Sequence, residues 1–356
     1  MSEKVTIYDI ANRAGVSTTT VYKAMHNLKG VSQAKREAIL AIISEMNYER
    51  NSIAQTLARK EIKIGVVFEA LNQEFTYPIL DGIKTTYEQL KSYKVNMIFS
   101  NTDENVNKER VLHEFSSMLE MGVDGIILFP SVPYPEYEKF NNQIKAKGIP
   151  VVTVINEIPY LETLTCVQYD GTLLGRIAGD LMNLCNPGGN CAVIIGNKDV
   201  VAQQLTIEGF REALKNSGGT VVAAYENQFM ERLNRPLIDN ILKTYPYIEG
   251  VFVGVSQSVE VVNRLKELGL DKQCKIITVD TFPFIEKSLL DGSITATLNR
   301  HPFYMGQVAV NTVYNYLTNA TAIEKRIFLP SSIVLPSNVG YSYQPSLAES
   351  LIPYRI

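Results

Sequence analysis

The sequence predicts two unlike parts: a small all-α helix-turn-helix head with a short hinge helix, and a two-lobed α/β body. Three observations predict them. Two short helical patterns are pinned around one glycine in "TIYDIANRAGVSTTTVYKAM", Thr6 to Met25. From Ile62 onward, near-continuous apolar runs alternate with amphipathic stretches, the mark of parallel strands covered on both faces. That alternation restarts after about residue 160, which predicts two similar lobes.

Within the head, Thr6 can cap a helix whose third position is the acidic Asp9. Ile7, Ile10, Ala11 and Ala14 then fall at i, i+3, i+4 and i+7, one apolar face. Gly15 supplies the left-handed residue that ends a helix, and Ser17 is placed to cap the next one. In that second helix Val21, Ala24 and Met25 can pack inward, while Thr18, Thr19, Tyr22 and Lys23 form two outward i, i+4 pairs. Ser32 caps a third helix whose inner face is Ile39, Ile42, Ile43 and Met46. Three short helices sharing a core make a helix-turn-helix unit; the pattern by itself also fits a small helical interaction module. In "NSIAQTLARKE", Asn51 can cap a further helix with Ile53, Ala54, Leu57 and Ala58 on one face. At about two turns it is too short to be stable alone in water, so composition alone allows a plain linker.

The body reads as strands "IKIGVVF", "VNMIF", "GIILF", "VVTVI", "CAVII", "VVAAY", "GVFVGV" and "KIITVD", with helical segments such as Ile79–Leu90 and Ile207–Lys215 between them. Ligands of such folds sit beyond the carboxyl ends of the strands, so a cleft between two lobes is where a binding site is expected.

Composition narrows the function classes. The chain has 356 residues, 46% hydrophobic and 20% charged, enough for a sizeable packed core. Its longest apolar runs fall far short of the 18 or so residues of a membrane span, and no basic-then-apolar leader precedes the first helix, so a cytoplasmic protein is expected. Cys166, Cys185, Cys191 and Cys274 have neither zinc-like nor CxxC spacing and read as buried thiols, so no metal is expected. Residues 1–60 carry nine Lys/Arg against five Asp/Glu, and the remainder 25 against 32. A basic head on an acidic body suits a nucleic-acid partner for the head.

The residues "TIYDIANRAGVSTTTVYKAM…GVSQAKREAILAIISEMNYERNSIAQTLA" resemble the DNA-binding head and hinge of the lactose repressor family over all of residues 5–60. The resemblance implies that the second helix lies in the major groove of DNA with its first residues at base edges. Thr18, Thr19 and Lys23 are then the base readers, Lys23 standing where the family usually has Arg and lacking that planar fork. Tyr22 replaces a small residue and His26 the usual Asn. Ser17, Ser32 and Asn47 are implied phosphate contacts. The hinge, with Asn51 and Ala54, would fold on DNA and place Leu57 as a wedge in the minor groove; Arg50 stands where the family often has Pro.

The body is similar to the sugar-binding fold of periplasmic binding proteins (type I) that this family carries, over roughly residues 62–345. The match is clearest in "SNTDENVNKERVLHEFSSMLEMGVDGIILFP", "VQYDGTLLGRIAGDLM", "TVDTFPF" and "ATLNRHPFYMGQVAV". It implies three crossings between lobes. The expected organisation is a head at 1–48, a hinge at 49–61, a first lobe at 62–160 plus 293–324, a second at 161–292 plus 325–345, and a tail at 346–356. The implied effector contacts are Asp280 for two sugar hydroxyls, Phe75 and Asn72 in a loop under the sugar ring, Asn156, and Thr206 where relatives have Arg. Two departures stand out: "VS", Val255 and Ser256, where the family has "ND", and Arg300 for the usual Gln. Arginine suits a carboxylate or phosphate, which points to an acidic or phosphorylated sugar.

No catalytic set is legible. His26, His113 and His301 are scattered, and "NPGGN" lacks the phosphate-loop pattern and reads as a helix-to-strand turn. No cofactor is expected. The expectation is a DNA-binding regulator, operating as a homodimer on a pseudo-palindromic operator under control of a sugar or sugar derivative. The rivals are a sugar sensor without specific DNA readout and a co-repressor-dependent regulator of another pathway. The tail has no leucine heptads, so a tetramer-forming zipper is absent from it.

Overall fold

The computed structural model describes residues 5, 7–25, 30–46, 60–68, 73–100, 108–130, 133–319 and 322–341. Thr6, His26, Asn47, the hinge positions Asn51, Ala54 and Leu57, Asn72 and the tail at 346–356 lie outside them. The body begins at Ile62 as a compact unit separate from the head.

The head is three helices, α1 (Ile7–Ala14), α2 (Thr18–Met25) and α3 (Gln33–Glu45). Ile10, Ala11, Val21, Ala24 and Ile39 form its buried centre, with Ala14, Met25, Ile42, Ile43 and Met46 packed around them. Gly15 turns the chain between α1 and α2 at φ +61°, a conformation that costs glycine nothing. An exposed Arg13–Glu45 pair at 3.2 Å links α1 to α3 and contributes little.

In the body, β1 (Ile62–Phe68) leads into α4 (Gln73–Leu90), β2 (Val95–Phe99), α5 (Lys108–Glu120), β3 (Gly125–Phe129), α6 (Asn141–Lys147), β4 (Val151–Val154) and β5 (Thr165–Tyr169). Then come α7 (Gly171–Cys185), β6 (Asn190–Ile195), α8 (Val201–Lys215), β7 (Thr220–Glu226), α9 (Asn234–Thr244) and β8 (Gly250–Val253). The chain ends in α10 (Val259–Glu267), β9 (Lys275–Val279), α11 (Pro283–Leu290), β10 (Ala296–Asn299), α12 (Pro302–Asn319), β11 (Arg326–Leu329) and β12 (Ser332–Val334).

Two six-stranded sheets result, ordered β11-β5-β4-β3-β1-β2 and β12-β10-β9-β8-β6-β7. Every pairing is parallel except β10 with β12. The inner strands β3, β4, β5, β8 and β9 are buried almost throughout, as strands covered by helices on both faces must be. The chain passes between the sheets three times, after β5, after β10 and after β11.

These pairings move the expected lobe boundaries. β5 pairs with β4 and β11, so residues 165–169 belong to the first lobe and not the second. β10 pairs with β9 and β12, so 296–299 belong to the second lobe. β11, at 326–329, lies in the first sheet. The physical reason is that each crossing occurs at the carboxyl end of a strand, whereas the restart of the strand–helix pattern near residue 160 precedes a strand that completes the first sheet.

Helix pairs in each lobe approach closely at glycines. A Cβ on Gly175 of α7 would lie 2.1 Å from the Thr206 carbonyl oxygen of α8 and 2.8 Å from the Phe210 amide. Gly171, Gly179 and Gly209 meet the opposite helix in the same way, and Gly82 of α4 and Gly306 of α12 repeat the arrangement in the first lobe. Because the neighbour is backbone, it cannot rotate aside. Gly175→Ala is expected to destabilise the body by about 1–3 kcal/mol, whereas Gly340→Ala, which meets nothing within 4 Å, shifts it by less than about 0.5 kcal/mol. Urea denaturation of both variants reads the difference.

Among the described residues no helix is long and apolar enough to cross a membrane. Cys166, Cys191 and Cys274 are buried, and burial pushes their thiols up to about 12. Cys185 departs from the expectation: it is exposed at the end of α7.

Candidate functional site

On the head, the Ser17 hydroxyl accepts a hydrogen bond from the Thr20 amide at 3.2 Å and pairs with the Thr20 hydroxyl at 2.9 Å. It is therefore the N-cap of α2, and fixes the start of that helix. Ser32 has the extended backbone of an N-cap, but its side chain makes no capping bond. On α2 Thr19 and Tyr22 are exposed and Thr18 and Lys23 half-buried, opposite the Val21 and Ala24 that enter the core. One face of this short helix is thus committed to packing, and the other carries hydroxyls, a phenol and an ammonium.

In the body, side chains converge where the strands of both sheets end. Ser256 follows β8, Asp280 follows β9 and Arg300 follows β10, all of the second lobe. Phe129 ends β3, Asn156 lies two residues past β4 and Tyr169 ends β5, all of the first. Phe75, expected in a loop, is instead in the first turn of α4, which begins at Gln73, and is buried. The apolar pattern had marked only the helix's later turns, because its first residues are polar.

Asp280 and Arg300 form the centre, 1% and 4% exposed. Arg300 Nε donates to Asp280 Oδ1 at 3.0 Å, Nη2 donates to the other carboxylate oxygen, and Nη2 also donates to the Ser256 hydroxyl at 3.0 Å. That hydroxyl donates in turn to Asp280. Burial opposes the Arg300 charge, but the adjacent Asp280 carboxylate outweighs it and holds the guanidinium pKa above its ordinary value. The guanidinium carbon lies 4.0 Å from the Phe75 ring centroid and 5.0 Å from that of Tyr169, both within cation–π range. Gln203 adds a second link between lobes, donating to the Tyr169 hydroxyl at 3.1 Å while accepting from the Gly196 amide at 2.8 Å.

The backbone here is strained. Asp280 sits at φ 64°, Phe229 at 55°, Ile155 at 72° and His301 at 57°; for a β-branched residue such as Ile155 this is a marked outlier. The Asn156 amide bonds back to the Val154 carbonyl at 3.0 Å across it, closing a tight three-residue turn. Such strain persists only where surrounding structure enforces it and gathers at functional sites.

The space left between these groups is small, about 60 Å³, lined by Phe75, Thr76, Phe129, Ile155, Asn156, Val200, Gln203, Phe229, Val255, Ser256 and Arg300. Ligand pockets are commonly about 300–1,000 Å³, so in this arrangement the space beside Arg300 is too small for a ring-sized ligand. A cavity of about 350 Å³ adjoins it, sharing Ile155, Asn156 and Val200 and bounded by Tyr160, Tyr169, Asp170, Asp199 and Arg326.

Phe75, Asn156, Ser256 and Arg300 are therefore gathered around one cavity, with Asp280 behind them, bonded to Arg300 and Ser256. Thr206 is not. It is fully buried in α8, its hydroxyl donating to the Ala202 carbonyl at 2.7 Å one turn earlier, and its backbone packs against Gly175. The α8 residue that lines this cavity is Gln203, one turn before it. Gln203, Tyr169, Phe129 and Phe229 were missed; for Phe129 and Tyr169, the last residues of strands, the strand-end rule was the available signal.

His301 lies in the second crossing, its Nε2 3.0 Å from the hydroxyl of Ser332, the first residue of β12. Burial, partly countered by the Asp280 charge, lowers its pKa below the ordinary 6.5. The unfolded chain then binds the proton first, so body stability is expected to fall as pH drops through 6.5 toward the folded pKa. His301→Asn, which tolerates the positive φ, should flatten this difference between about pH 7.5 and about pH 5 in denaturant titrations.

Comparison with known proteins agrees with both parts. The family described as "Bacterial regulatory proteins, lacI family" matches residues 6–51, and "Periplasmic binding protein domain" matches residues 64–321. The catabolite control protein A of Priestia megaterium is 26% identical over 343 residues, covering 92% of this chain and 97% of its own. The ribose operon repressor of Halalkalibacterium halodurans is 27% identical, covering 93% and 96%. Among solved structures, GanP, a glucose-galactose binding protein of Geobacillus stearothermophilus, superposes with a TM-score of 0.70 at 22% identity, covering 79% of this chain and 99% of its own. A periplasmic solute binding protein of Actinobacillus succinogenes with bound D-allose gives 0.71 at 18%, covering 79% and 100%; both likenesses speak to the fold. The chain therefore joins a head of the lacI family of bacterial regulatory proteins to a body that belongs to the periplasmic binding protein domain family.

Proposed function

We propose that this protein is a repressor of carbohydrate-use genes that binds a pseudo-palindromic operator as a cytoplasmic homodimer and is controlled by a sugar or sugar derivative held between the lobes. The observation that carries this reading is the joining, in one chain, of a lacI-type head to a cleft whose strand ends present Ser256, Asp280 and Arg300. The relatives named for ribose and catabolite control, and the fold shared with sugar-binding proteins, support a sugar over another metabolite.

In this reading Thr18, Thr19 and Lys23 read bases, Ser17, Ser32 and Asn47 hold phosphates, and Leu57, with Asn51 and Ala54, acts in the minor groove. Two heads are needed because a pseudo-palindrome presents two half-sites. Effector and operator are linked by a coupling free energy of about 1–3 kcal/mol, reciprocal by thermodynamic necessity. Phe75, Asn156, Ser256, Asp280 and Arg300 contact the effector.

The test is to incubate the purified chain with sheared DNA of its own genome and sequence what is retained. Enrichment of one palindrome of about 14–20 base pairs beside sugar-utilisation genes is the expected result. No enrichment at low salt, with or without sugar extracts, overturns the reading of the head and leaves a ligand sensor.

A further inference from the structure

Beside the Asp280–Arg300 centre, the cavity of about 350 Å³ is of ligand size, whereas the space at the centre is not. We infer that this cavity is a second ligand site, separate from the strand-end centre, and that it takes a neutral polyol of monosaccharide size. It shares only Ile155, Asn156 and Val200 with the centre; Tyr160, Asp170, Asp199, Arg326 and Phe328 line this cavity and not the centre. The inference does not depend on the centre being the effector site.

The walls come from both lobes. Tyr160, in the loop after β4, and Phe328 of β11 stand on the first; Asp199 and the opening residues of α8 stand on the second. Tyr160 and Phe328 are 43% and 47% exposed, two large rings left bare beside one hollow. They supply the apolar wall common to small-molecule sites, and the C–H face of a sugar ring is its match. The polar groups are of both kinds. Asp170 caps α7 with Oδ1, accepting from the Leu173 amide at 3.0 Å, and keeps a second oxygen. Asp199 donates its amide to Asn197 Oδ1, but no described residue pairs with its carboxylate. Beside it α8 starts behind an N-cap, Val200, whose side chain makes no capping bond, so the first-turn amides of Val201 and Ala202 are donors without a side-chain acceptor. Acceptors and donors side by side suit hydroxyls, each of which is both. Charge then rules on the ligand class. Arg326 donates to both oxygens of Glu157, one bond being 3.0 Å long, so those two charges cancel. The two aspartates remain, and a carboxylate or phosphate entering here would meet like charge. The preference is the reverse of the one that Arg300 suggests for the centre. A polyol held between Tyr160 and Asp199 touches both lobes at once.

The chain contains no tryptophan, so Tyr160→Trp and, in a separate protein, Phe75→Trp place a single fluorescent reporter at this cavity and at the centre. Each full-length variant is titrated with D-ribose, D-glucose and D-galactose and with their terminal phosphates. At least one neutral sugar is expected to shift the emission of the Tyr160→Trp chain, and to bind at least about tenfold tighter than its phosphate. Asp199→Ala in the same background is expected to weaken that sugar by about tenfold or more; Asp199 is exposed, and its amide bond to Asn197 survives the change. A sugar that shifts only the Phe75→Trp emission, with an affinity indifferent to Asp199→Ala, overturns the second site and leaves the centre as the effector site. A phosphate that binds the Tyr160→Trp chain as tightly as its parent sugar overturns the neutral class. No shift of either reporter by any of the six probes overturns the cavity as a site for these polyols. Retention of the genomic palindrome, measured on the same preparations, keeps those failures separate from failure of the DNA-regulator reading.

Discussion

Replacing Arg300 by Ala is expected to destabilise the body by about 3–5 kcal/mol, while Asp280→Asn/Arg300→Gln costs markedly less. The single change leaves the Asp280 carboxylate buried beside Ser256 with no counter-charge, and removal of one partner of a buried pair is far more damaging than removal of both. Loss of the ring contacts with Phe75 and Tyr169 adds to the first variant and, in smaller measure, to the second. Denaturant midpoints of the wild type, Asp280→Asn, Arg300→Gln and the double variant form a mutant cycle, and the coupling energy is its product. A cost within about 1 kcal/mol for Arg300→Ala would mean that water reaches the pair.

The second large effect is on DNA. Lys23→Ala is expected to weaken binding to the operator by about 1–3 kcal/mol while changing binding to random duplex far less. The side chain stands half-exposed on the face of α2 away from Val21 and Ala24, where a base contact is geometrically open to it. Thr19→Ala should act in the same direction. Ser17→Ala behaves differently, because Ser17 caps α2 through the Thr20 amide: it lowers head stability by about 1 kcal/mol and weakens all DNA alike. Fluorescence anisotropy on operator and scrambled duplexes at two salt concentrations separates these cases. Equal losses for Lys23→Ala on both duplexes, with a reduced salt slope, would show a phosphate contact and remove Lys23 from the base readers.

The head was legible in the sequence nearly residue by residue, since its apolar periods, Gly15 and Ser17 are local signals and three short helices have few ways to share a core. The strand–helix alternation of the body was equally plain. Its lobe boundaries were not: "TCVQY" carries nothing to say that it pairs with β4 and β11, because strand partners are chosen by contacts far away in the chain. For the same reason the cleft positions were half readable. Asp280, Ser256 and Arg300 could be placed at strand ends, where the fold puts ligands, and Asn156 just beyond one. Thr206, on a helix, was assigned by position alone, and helix packing turned it into the core while bringing Gln203 to the cleft.

The sequence by itself determined that the chain carries a lacI-type helix-turn-helix head and a two-lobed body with charged residues at its strand ends. Only the tertiary structure decided what those charges do. Asp280 and Arg300 are 20 residues apart in sequence and follow the neighbouring strands β9 and β10; their meeting depends on that pairing, and the stacking of the guanidinium on Phe75 from the other lobe depends on the chain crossings that bring the strand ends of the two sheets together. No local propensity encodes a contact between side chains from different sheets, and it is that contact which fixes how much room, and what charge, the cleft offers.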